Sequence, residues 1–142
     1  MKGIYLIALI TALMLSATSC GSHGSNKDAD LAFQAASAEM SQTNVSRYAD
    51  KAYTELSDLT TEDACKLTLA YYYLYRNHYT EEYGERFGKC YEYSIHKGES
   101  ETNEYFNSLT DVDDAATTIR KGYDNIELMK EASESFKNMF GN

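Results

Sequence analysis

Proline does not occur in this chain of 142 residues, so no ring fixes φ or removes a backbone donor, and helices can run without an imposed break. Basic residues are scarce. Thirteen Lys and Arg stand against 22 Asp and Glu, a formal net charge of −9. Phosphate binding depends on clustered Lys and Arg, so nucleic acid is not an expected partner. Histidine occurs at His23, His78 and His96 alone, without a His-x-x-x-His pair. Glu92, four residues before His96, reads as a surface contact, and no metal site is expected. Asp111-Val112-Asp113-Asp114 opens in the manner of a calcium loop, but Ala116 and Gly122 occupy the places where Gly and Glu are required. Glycine-rich phosphate loops and Gly-x-Ser-x-Gly are also missing. No cofactor is expected, and an enzymatic role is not.

The chain has one sustained apolar run, Ile4 to Leu15, preceded by Lys2 and followed by the small residues Ser16 to Ser19. This is the three-part layout of a secretory signal. It is too short to span a bilayer, which takes roughly 20 mostly apolar residues. Cys20 follows directly, and Leu15-Ser16-Ala17-Thr18-Ser19-Cys20 resembles the lipobox of bacterial lipoproteins. That resemblance implies cleavage after Ser19 and acylation of Cys20. Each buried acyl methylene contributes about 0.8 kcal/mol, so several chains on one cysteine make a durable anchor. The expected partner of this end is therefore a lipid bilayer. The expected location is the bacterial cell envelope, with the outer membrane favoured over the inner.

Three regions follow: signal peptide 1–19, a flexible lipid-anchored tether 20–28 rich in Gly and Ser, and a helical domain 29–142. Losing Lys2, the one charged residue of 1–19, takes the formal charge from −9 to −10. Anionic headgroups repel such a domain, so it is expected to hang from its tether.

Apolar residues beyond the tether recur at helical spacing, which predicts an all-α domain with helices near 29–42, 45–58, 62–77, 80–97, 101–109 and 111–139. Thr61 before Glu62-Asp63, Thr80 before Glu81-Glu82 and Thr110 before Asp111 supply start signals, and Gly98 after His96-Lys97 a stop. Thr68 to Tyr75 has strand propensity. With no second strand to pair with, it reads as a helix apolar on several sides, packed between neighbours.

The short connection around Asn77-His78 implies an antiparallel hairpin. Its second helix is amphipathic, with Tyr83, Phe87, Cys90, Ser94 and Ile95 on one stripe. The placing of Tyr83, Phe87 and Cys90 at i, i+4 and i+7, with Leu69-Ala70 or Ala70-Tyr71 on the first helix, resembles a tetratricopeptide repeat. Ala52, Leu56 and Leu59 echo that spacing, as do Ala115, Ile119 and Gly122. The resemblance implies stacked antiparallel hairpins. A small helical bundle satisfies the same pattern, and both architectures stay open.

Cys65 and Cys90 lie equidistant from the hairpin turn. A disulfide and a pair of compact core thiols are both compatible with that placing. Thirteen tyrosines supply amphipathic rings, and Tyr72, Tyr75, Tyr79 and Tyr91 are the candidate contacts with a partner. The expected function is a membrane-tethered helical module that binds a partner protein, as adaptor or scaffold, through the face of stacked hairpins. The alternative is a lipoprotein that binds a small ligand or carbohydrate for an uptake system.

Overall fold

The computed structural model describes residues 26–108 and 115–140, and among them every regular element is helical. The elements are α1 (Lys27–Ser37), α2 (Gln42–Tyr53), a single 3₁₀ turn (Leu56–Asp58), α3 (Thr61–Asn77), α4 (Glu81–Lys97), α5 (Glu99–Ser108) and α6 (Ala115–Phe140). The all-α expectation holds, and the architecture is a small helical bundle. The expected signal peptide 1–19, Cys20, most of the tether and the Thr110 start signal lie outside the described residues.

Local capping chemistry explains most helix starts. Asn26, Ser41, Thr60 and Thr80 each accept a backbone N–H of the first turn through the side chain, satisfying a donor that has no partner within the helix. Thr80 caps α4 as expected. At α3 the cap is Thr60, and Thr61 is already helical.

Two expected helices end early, each for a tertiary reason. The first, expected to reach residue 42, stops at Ser37, and Glu39 takes φ 53°, a conformation glycine would adopt without steric penalty. The Tyr73 hydroxyl holds this turn by donating to the Met40 carbonyl at 3.1 Å. The second, expected over 45–58, gives way after Tyr53 to the 3₁₀ turn, and Leu59 turns inward in an extended conformation. Its carbonyl accepts both Lys97 Nζ at 2.7 Å and the Tyr93 hydroxyl at 3.0 Å, so α4 pins the loop from a distance in sequence. Ala52, Leu56 and Leu59 consequently do not share one helix.

Helix α3 is the axis of the bundle. Every residue from Asp63 to Leu74 is buried, because α1, α2, α4 and α5 all pack against it. The segment with strand propensity is thus helical and enclosed on several sides. Lys66 pairs with Asp30 at 3.2 Å and Glu62 at 3.4 Å, while Asp63 accepts the Asn26 N–H at 2.7 Å through one of its two oxygens. Both contacts tie the start of α1 to the start of α3.

Aromatic rings meet glycines at the hairpin and on α6. A Cβ at Gly84 would stand 3.1 Å from the Tyr75 ring, and one at Gly122 would stand 3.1 Å from Tyr72 and 3.6 Å from Phe87. These positions let α3, α4 and α6 approach through rings instead of aliphatic branches. Phe87, fully buried, sits 5.3 Å from Tyr72 and stacks on Tyr75 at 6.4 Å.

Candidate functional site

The four candidate tyrosines separate into two classes. Tyr72 and Tyr91 are core residues, which corrects their expected role as partner contacts: Tyr72 packs on Phe87, and the Tyr91 ring lies 4.9 Å from that of Tyr123. Consecutive turns of a helix wrapped by neighbours leave no outward side for every tyrosine. Tyr75 and Tyr79 remain available, at the tip of the hairpin and 5.5 Å apart. Tyr79 is 63 % exposed. Together with Gly84, Ile126 and Met129 they line an open groove of about 490 Å³ between that tip and α6, to which Glu81, Glu85, Lys130 and Lys137 also contribute.

Helix α6, which forms the far wall of this groove, also carries a feature that residue-by-residue reading missed. Helix α6 packs on α4 and α5 through Ala115, Ala116, Ile119 and Ile126. Beyond Lys130 it leaves the bundle, and every residue from Glu131 to Phe140 is exposed. Met129, Ala132, Phe136, Met139 and Phe140 recur at three- and four-residue intervals, the spacing of one helix face. Phe136 is 64 %, Met139 75 % and Phe140 72 % exposed, with Leu128 and Met129 also open. Monomeric proteins rarely leave a contiguous apolar patch of this kind uncovered unless something binds it. The periodicity was legible within the expected helix 111–139. That no described element reaches far enough to cover it was not.

The remaining polar clusters are structural. Arg86 donates to Asp50 at 2.8 Å and to the Tyr71 hydroxyl at 3.2 Å, lies 4.6 Å over the Tyr53 ring and pairs with Glu82. The Tyr71 hydroxyl in turn donates to Asp50 at 2.7 Å, so α2, α3 and α4 are joined at one point. Burial, the largest influence, raises the Tyr71 pKa. Among the described residues no group of three His, Cys, Asp or Glu side chains is placed to hold a metal, and no described helix is long and apolar enough to cross a membrane.

Cys65 and Cys90 are both buried and free, so the disulfide alternative is not formed. Although equidistant from the turn, they face different surroundings: Cys65 lies beside the hydroxyls of Ser94 and Thr102, and Cys90 lies near Arg86 and Tyr53. Burial pushes the Cys65 thiol up to about 12, the two hydroxyls offsetting part of the rise, and raises Cys90 as well. Reactivity belongs to the thiolate. In a Cys20→Ala chain, which retains these two thiols alone, a thiol reagent at pH 8 is expected to label neither until denaturant is added, and reductant is expected to leave the thermal midpoint unchanged. Both thiols stay protonated to a higher pH folded than unfolded, so their contribution is intact below the ordinary thiol pKa of 9.0 and is lost as pH rises towards 12. The unfolding free energy is therefore expected to fall as pH rises through that window, and tyrosines such as Tyr71 and Tyr105, raised by burial for the same reason, add to the fall. Urea titrations at pH 8 and pH 10.5 would measure it, and prompt native labelling would contradict it.

No family model, curated protein or solved structure matches this chain.

Proposed function

We propose that this chain is a lipid-anchored helical module of the bacterial cell envelope, tethered through acylated Cys20, which binds protein through the exposed end of α6 and the adjoining groove. One observation carries the reading. An amphipathic helix of a folded domain projects past its neighbours with Met129, Phe136, Met139 and Phe140 uncovered. Helix faces of this kind are recognised by another helix or by a groove, through anchors at i, i+3, i+4 and i+7. The aromatic and thioether side chains are those enriched where protein surfaces meet. The acidic body, at −9 overall, keeps the rest of the surface soluble.

The small-ligand reading retains one point in its favour, since a 490 Å³ groove lies in the usual range of ligand sites, about 300–1,000 Å³. Its lining mixes charge of both signs, Glu81, Glu85 and Glu134 with Lys130 and Lys137, and carries one exposed ring, Tyr79.

A photo-crosslinking residue at position 136 distinguishes these readings in intact envelopes. The expected result is a discrete adduct to protein from position 136 and none from position 131, which is exposed on the polar side of the preceding turn. Equal or absent adducts at both positions would overturn the interaction reading.

A further inference from the structure

We infer that the occupant of the α6 face is a second copy of this chain, with Leu128–Phe140 of one copy lying antiparallel to the same segment of the other. The inference rests on the interaction reading above and names its partner. Met129, Ala132, Phe136 and Met139 follow one another at intervals of three, four and three residues, the alternation of core positions in a two-stranded coiled coil. A two-fold axis at the level of Glu134 sets Met129 against Met139 of the second copy, and Ala132 against its Phe136. Each large ring then meets a small residue, and the symmetry generates each layer twice.

Charge selects this face for self-contact. A chain of net charge −9 repels its own copies over most of its surface. Within 128–140, Lys130 and Lys137 balance Glu131 and Glu134, so the overhang is neutral. Area also suffices. Leu128, Met129, Phe136, Met139 and Phe140 are each more than half exposed and present on the order of 100 Å² apiece, hence roughly 1,000 Å² over both copies, the threshold for a specific interface. A helix pair this short would be marginal in isolation. Here the first half of α6 is held by α4 and α5, so the helical conformation exists before association and its nucleation is not charged against binding.

The test is oxidative cross-linking of the full chain in intact envelopes. Ser135 lies beside the proposed axis and Glu134 on the opposite side of the helix, and both are exposed. Ser135→Cys is expected to give a disulfide-linked species of twice the chain mass at least tenfold more abundantly than Glu134→Cys. Adding Phe136→Lys to Ser135→Cys is expected to abolish that species while leaving the helicity of the folded domain unchanged, since no described residue of the bundle covers position 136. Equal cross-linking at 134 and 135, or none at either, overturns the inference. If it fails while the photo-crosslinker at 136 captures a different protein, the partner assignment falls and the interaction reading survives. If neither cross-link forms, both fall.

Discussion

Replacing Phe87 with alanine is expected to lower the unfolding free energy by about 3–5 kcal/mol. The ring is fully buried where three helices meet: Tyr72 and Tyr75 of α3 flank it, and a Cβ added at Gly122 of α6 would stand 3.6 Å from it. Removing it forfeits the transfer free energy of a phenyl group. It also leaves a void walled by stiff aromatic rings, which collapse poorly into the space, so the penalty belongs in the upper part of the range. Domains of this size are held by only about 5–15 kcal/mol in total, and the variant should be partly unfolded at physiological temperature. Urea unfolding followed by helicity would show the midpoint falling with the slope unchanged. A loss below about 1 kcal/mol would show that this site relaxes more readily than Leu and Phe truncations usually allow.

Cys20→Ala is expected to remove the mature lipidated species entirely. The proposed anchor is the acylated sulfur, and among the described residues no helix offers a membrane span as a substitute. One acyl chain gives only weak, reversible attachment, whereas two or more bind for practical purposes permanently, so the change is close to all-or-none. Palmitate incorporation should fall to background. The membrane fraction should lose the band of original mobility, replaced by soluble chain or by a slower precursor that keeps residues 1–19. Persistence of the same band, still in the membrane, would refute acylation at this residue. The result bears on self-association too, since tethering to one surface raises the local concentration of copies and favours a weak two-fold contact.

The helical class was legible because its causes are local. Apolar spacing near 3.6 residues, acidic residues after Thr80 and the absence of proline act within one or two turns, and α3 and α4 appear within a residue of their expected bounds. Boundaries set by distant residues were not legible. The stop at Ser37 depends on a left-handed Glu39 held by Tyr73, and the break after Tyr53 depends on Lys97 and Tyr93 of α4. No glycine or proline marks either place. Four tyrosines looked alike in the sequence and were parted by burial: Tyr72 and Tyr91 became core, while Tyr75 and Tyr79 stayed at the hairpin tip.

The candidate site shows the same division. Sequence alone pointed to a helix near 111–139, and it determined that the chain is acidic and that an apolar run precedes a cysteine at position 20. It could not determine which part of that helix has a neighbour. Periodicity fixes the face a helix offers, but its coverage depends on how far the surrounding helices extend. Here α4 and α5 cover α6 as far as Ile126 and leave Phe136, Met139 and Phe140 to solvent. Burial is a relation between elements remote in the chain, and only their assembly decides it.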